Sequence, residues 1–264
     1  MAERRLACWL LAAMAGAALL GPWLAPFDPL ATNAARALSP PSAAHWFGTD
    51  QLGRDVLSRT LAAARLDLGM AFAAVAGSMA VGAVAGAAMG LRGGWPAALG
   101  GRLTDLLMAF PLFVLAMALV ALLGNSVPAV VAATAAVNLP FYLRLARAEA
   151  AVRREAGYVE AARLGGSGDA RILTVFLLPN ILPVLLVQGS VNLGWAVLNA
   201  AGLSFLGLGV QAPAPEWGIM VADGAPFLAS GRWWVAGFPG LALLLAVLGF
   251  TLLGDALRDG AEPR

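Results

Sequence analysis

Lysine is absent from this chain of 264 residues, and cysteine and histidine occur once each, as Cys8 and His45. Without lysine there is no GxxxxGK(S/T) phosphate loop, so any ATP hydrolysis belongs to a partner. One cysteine excludes an intramolecular disulfide and a cysteine metal site. A lone histidine argues against imidazole metal ligation or a histidine proton relay, and His45 is expected at an ordinary loop position. Charge is scarce: 12% of residues are charged, 60% are hydrophobic and the mean hydropathy is +0.79. This apolar fraction is well above that of soluble domains. The seventeen basic residues are all arginines, scattered between apolar runs. No basic stripe forms, so nucleic acid is not an expected partner. What the sequence does contain is long uncharged runs, and these define an all-α polytopic protein of the lipid membrane.

Six spans are expected. The first, within 6–27, follows Arg4 and Arg5 and exceeds the roughly 7–15-residue apolar core of a signal peptide, so it reads as uncleaved. Segment 28–67 is polar and is expected outside the cytoplasm. There Gly48, Asp50, Gly53 and Asp55 are turn formers, and Asp55 can cap a helix entered through Val56 and Leu57. Asp50 and Asp55 are near neighbours, but two carboxylates without further ligand spacing do not make a metal site. The remaining permeation core, 68–264, carries spans at about 68–91, 106–123, 127–143, 180–202 and 235–253. Gly82, Gly86 and Gly90 line one face of the second span for close backbone approach. Residues 203–210 read as an interfacial or re-entrant piece. The outer loop 213–234 offers Trp217, Trp233 and Trp234 as interfacial anchors. Gln188, Ser190, Asn192 and Asn199 lie within the fifth span, where polar groups face either a solute pathway or neighbouring helices.

The densest island of charge lies in 144–179, with Glu149, Arg153, Arg154, Glu155, Glu160, Arg163, Asp169 and Arg171. Such an island must sit in water, as a loop on one side of the membrane. Inside it, 158–164 predicts a short helix with Tyr158, Ala161, Ala162 and Leu164 on its softer face, ended by Gly165 and Gly166. Ser167 and Asp169 can cap a second helix running through Ile172, Val175 and Phe176 toward Pro179. Small alanines beside one carboxylate suit insertion into a groove of another protein; a solvated loop between spans is the alternative.

Glu160-Ala161-Ala162, then Gly166, then Leu178-Pro179 resembles the EAA loop of binding-protein-dependent ABC import permeases. Gly165 and Leu164 depart from the family's usual residues there. The segment GTDQLGRDVLSR, ending at Arg59, is similar to the signature of the C-type subunit in the dipeptide, oligopeptide and nickel branch. The run NAAGLSFLGLGVQAPAPEWGIMVADG resembles the C-terminal third of that branch, although Asn199 stands near a position often acidic in relatives. The resemblance implies a type I ABC importer permease fold with six transmembrane helices and a cytoplasmic coupling helix. It implies no catalytic residue, and no cofactor bound by this chain, ATP and magnesium being held by two partner ATPase subunits. It further implies a homologous second permease chain and an extracytoplasmic substrate-binding protein. The coupling residues would be Tyr158, Glu160, Ala161, Ala162, Arg163, Gly166 and Asp169.

An inward N-terminus with six spans places twelve arginines in the cytoplasm (4, 5, 92, 102, 144, 147, 153, 154, 163, 171, 258 and 264) and five outside (36, 54, 59, 65 and 232). That obeys the positive-inside rule and puts both termini in the cytoplasm of a bacterial or archaeal cell. Peptides are the favoured cargo, with nickel or another small solute as the alternative. An autonomous secondary transporter would need charged sites at the midplane, and the spans show no convincing central charge.

Overall fold

One carboxylate starts the helix on which the others pack. Asp55 Oδ2 accepts from the Ser58 amide at 2.8 Å, and from it α2 (Val56–Arg92) runs unbroken for 37 residues. The expected capping role of Asp55 is therefore realised, and the helix begins twelve residues before the expected start of the second span, 68–91. The computed structural model describes residues 2–261, so Arg264 lies outside the described residues. Before α2 stands α1 (Ala2–Leu24). After it come α3 (Gly94–Ala109), α4 (Leu112–Leu123) and α5 (Val127–Arg153). A short α6 (Gly157–Leu164) precedes a single turn, α7 (Asp169–Arg171). A wide π turn over Ile172–Leu177 leads directly into α8 (Leu178–Phe205). The chain closes with α9 (Trp217–Gly224), a 3-10 turn and α10 (Trp234–Ala261).

Five of these stretches are long and apolar enough to cross a membrane, and a sixth span exists if α3 and α4 are taken together. These two helices meet at 92°, so the expected span 106–123 is interrupted at Phe110 and Pro111. The cause is local. Pro111 has no amide to continue the α3 ladder and pushes Phe110 into extended backbone, φ −82° and ψ 146°. The fourth span continues ten residues past its expected end as part of α5, and the fifth grows from an uninterrupted stretch beginning at Asp169.

Packing follows the glycines. A Cβ on Gly86 would stand 2.5 Å from the Leu143 carbonyl oxygen, and one on Gly82 2.5 Å from Tyr142 Cβ. The backbones of α2 and α5 thus touch along the Gly82-Gly86-Gly90 face, as expected. On the other side of the bundle Gly194 of α8 meets Val247 of α10, and Gly249 of α10 meets Leu10 and Leu11 of α1. The core running between α2, α5, α8 and α10 includes Leu68, Val75, Tyr142, Ile181, Leu185 and Phe250.

The polar segment before α2 is a tightly bonded cap. Gly48 (φ 70°) and Gly53 (φ 71°) take left-handed conformations, and a side chain on Gly53 would collide with the Asn33 backbone. His45 is buried, with Nδ1 2.8 Å from Asp55 Oδ1 and Nε2 3.0 Å from an Arg36 nitrogen. It is an internal tie rather than the expected ordinary loop position. The expected aromatic anchors divide as well. Trp233 is exposed, but Trp217 is buried with its ring N–H on the Thr60 carbonyl (3.0 Å), and Trp234 is buried with its own on Thr49 (3.1 Å). Both serve as core residues because each ring nitrogen finds an internal acceptor.

Candidate functional site

The charged loop between α5 and α8 is built around one inward residue. Ala156 is extended (φ −73°, ψ 144°) and sets the entry into α6. Of the eight residues of α6 only Val159 is fully buried, at 0% exposure, where it joins the core with Ile172 and Leu177; Ala162 packs against it, partly buried. The remaining face turns outward, and it includes Tyr158, Glu160, Ala161, Arg163 and Leu164, the last 84% exposed. Among the described residues, the Glu160 and Arg163 side chains have no hydrogen-bonding or ionic partner.

The end of α6 is set by backbone geometry. Gly166 has φ 80°, its amide donates to the Arg163 carbonyl at 2.9 Å, and the Ser167 amide donates to Ala162 at 2.9 Å. These paired bonds across a left-handed residue form a Schellman termination, which suits glycine. The turn therefore matches expectation. The next helix does not: α7 is preceded by Gly168 with no side-chain cap, so neither Ser167 nor Asp169 performs the expected capping. Asp169 instead reaches back to Arg92 at the end of α2, Nε to Oδ2 3.4 Å, on the exposed surface. The π turn that follows runs up to Leu178 and Pro179, where proline has no amide to donate.

More charge gathers at this end of the bundle. Arg144 contacts Asp105 at 2.6 Å, Arg154 contacts Glu155 at 3.2 Å, and Arg153 pairs with Glu149 one turn earlier. At the opposite end of α2, Asp50 Oδ2 accepts from Arg54 Nε at 2.6 Å and lies 3.6 Å from Arg59 Nε. The length of α2, about 55 Å at 1.5 Å per residue, separates the two polar ends.

The four pathway candidates on α8 do not converge. Gln188 Nε2 donates to Asn192 Oδ1 at 2.9 Å, and Asn192 lies beside the buried Tyr142 of α5. Ser190 is on the other side of the helix, against Gly254 of α10, with its hydroxyl bonded to Val187 (2.7 Å). Asn199 donates to the Trp195 carbonyl at 2.9 Å. Gln188, Asn192 and Asn199 share a helical stripe by their spacing, and Ser190 does not. Asp50 and Asp55 are taken up by Arg54, His45 and Ser58, which accounts for them without a metal. Two residues escaped the sequence reading: Val159, the one β-branched apolar residue of α6, and Glu216, which caps α9 from within the interior.

A bundle of apolar spans with a protruding charged helix at one end is the architecture of a polytopic membrane protein. Residues 82–264 match the binding-protein-dependent transport system inner membrane component family, and the chain belongs to it. Its members are non-catalytic permeases of ABC importers. The chain is 44% identical to the probable D,D-dipeptide transport system permease protein DdpC of Escherichia coli (strain K12), over 93% of this chain and 82% of that one. It is 42% identical to the dipeptide transport system permease protein DppC of Alkalihalophilus pseudofirmus, over 94% and 81%. Against the nickel transport system permease protein NikC of Escherichia coli (strain K12) identity is 38%, over 98% and 93%.

Proposed function

We propose that this chain is the C-type permease subunit of an ATP-driven importer of di- or oligopeptides, and that α6 is its coupling helix. The observation that carries the coupling role is the division of α6: Val159 fixes it to the core while Glu160, Ala161 and Arg163 stand free on the outer face. Two ATPase subunits, which bind ATP and magnesium, would receive that face. Ala161 and Ala162 allow close approach, Glu160 and Arg163 supply polar contacts in the cleft, and Tyr158 lies at the rim. Val159, Ile172 and Leu177 pack the loop into the core shared with α2 and α8, so a movement imposed on α6 passes to the longest helices as a rigid-body displacement. A homologous second permease completes the pathway, and an extracytoplasmic binding protein delivers the solute. The arginine distribution supports cytoplasmic termini and a cytoplasmic α6.

Peptide cargo is supported by the dipeptide permeases among the relatives. Nickel is the second reading, favoured by the match to NikC over nearly the whole chain. The test is uptake in a host deleted for this chain. A labelled dipeptide should enter when the wild type is restored. Gly166→Val should abolish uptake at an unchanged membrane level. No atom lies within 4 Å of a Cβ at Gly166, so the substitution acts through the left-handed backbone, which costs about 1–2 kcal/mol for a residue with a Cβ. Full uptake by Gly166→Val would remove the coupling role, and nickel-only uptake by the wild type would remove the peptide reading.

A further inference from the structure

Two carboxyl groups meet in the interior where α9 packs on α2. Asp67, about three turns into α2, is 1% exposed, and Glu216, just before α9, is 0% exposed. Both are fixed by the same short element. Glu216 Oε1 accepts from the Gly218 amide at 2.9 Å and Oε2 from Ile219 at 2.7 Å, while Asp67 Oδ2 accepts from the intervening Trp217 amide at 3.1 Å. The side chains thereby stand within hydrogen-bonding reach of each other. Asp67 Oδ1 is buried with no donor directed at it.

Among the described residues no cation compensates the pair. On α2, Arg59 is committed to Asp50 and the Pro29 carbonyl, and Arg65 lies on the exposed side of the helix. The charge on α9, Asp223, faces Arg54 at 3.9 Å. From α8, which has no charged residue, Ser204 faces Glu216. Those of α10 (Asp255, Arg258 and Asp259) and of α5 (Arg144, Arg147, Glu149 and Arg153) lie toward the other end of the bundle. Two adjacent buried carboxylates without a cation repel and are poorly solvated; one proton between them removes a charge and supplies the donor that Asp67 Oδ1 lacks.

We propose that Asp67 and Glu216 form a proton-binding site, in which one shared proton bridges the two carboxyls and holds α9 against α2. Burial pushes the Glu216 carboxyl above its ordinary range, against the opposing effect of the neighbouring Asp67 and of its hydrogen bonds from the Ile219 and Gly218 amides. The sign follows. The folded state holds the proton more tightly than the unfolded chain does, so its advantage is present at low pH and is lost as pH rises through the folded-state value. Because Gly218 abuts the Ala201 backbone of α8 and Gly224 abuts Val235 and Ala236 of α10, proton loss would loosen α9 against both helices.

The test is infrared spectroscopy of the full chain in its assembled complex, in lipid nanodiscs, with thermal unfolding followed against pH. The wild type should show a buried protonated-carboxyl stretch at neutral pH and an unfolding midpoint that falls on the alkaline side. Asp67→Asn, whose amide can donate to Glu216 without a proton, should lose the band and flatten the fall; Glu216→Gln should do the same and serves if the first variant does not fold. Absence of the band in the wild type, or its persistence with an unchanged alkaline fall in the variants, overturns the proposal. Stabilisation by sodium in place of the band would assign the site to a metal cation and equally overturn it. Neither readout depends on which solute is carried or on the role of α6.

Discussion

Asp50 holds two arginines out of solvent, and that makes it the most consequential residue of the polar cap. Arg54 and Arg59 are both buried, and each turns its Nε toward Asp50 Oδ2. Removing one member of such a group leaves charge buried without a partner, and Asp50→Ala should destabilise the chain by about 3–5 kcal/mol. Arg144→Ala breaks an ion pair whose side chains are more than half exposed and should cost at most about 1 kcal/mol. Thermal unfolding in detergent compares the two, and equal losses would refute this reading of the cap. At this scale the sequence shows residues whose task is local. Asp55 as a helix cap and Gly48, Gly53 and Gly166 as turn residues are legible because each answers to its immediate neighbours. His45 and Trp217 are not, because burial depends on partners that the fold brings in. Trp217 meets a carbonyl 157 residues away.

Among the helices, the contact of α2 with α5 rests on absent side chains. Gly86→Val would drive a branched group into the Leu143 carbonyl and Ala146, and overpacking of this kind costs about 1–3 kcal/mol. Gly77 of the same helix has no atom within 4 Å of a Cβ, so Gly77→Ala should be neutral or stabilise by about 0.5–1 kcal/mol through helix propensity. The pair is compared by unfolding temperature at matched expression, and a stable Gly86→Val would mean that the helices do not meet there. Four-residue glycine spacing made this face readable in advance. The bend between α3 and α4 was not readable to the same degree: Pro111 is visible within the apolar run, but a proline marks a break without giving its 92° angle. The extents of α2 and α5 were likewise underestimated. Charged residues at their ends suggested loops, whereas the helical hydrogen bonding continues beyond the apolar stretch into polar surroundings.

The whole molecule has two polar ends joined by apolar helices, and the two are built differently. One end is internally bonded around Asp50, His45 and Asp55; the other presents α6 with an unpaired acid and an unpaired base. That contrast was half legible. The charge island announced an exposed loop, and the face exposed became evident only once Val159 was seen to point inward. The central claim is that this outward face docks on an ATP-hydrolysing partner. It is tested most directly by site-directed cross-linking in the assembled complex, starting from Cys8→Ser, since Cys8 is the sole cysteine and is exposed. A thiol introduced by Arg163→Cys on α6 should cross-link to the ATPase subunit, with a yield that changes when nucleotide is added. A thiol introduced by Leu122→Cys, exposed at the end of α4 nearest the polar cap, should not. No ATPase adduct through position 163 in an intact complex, or equal adducts through both positions, would contradict the account.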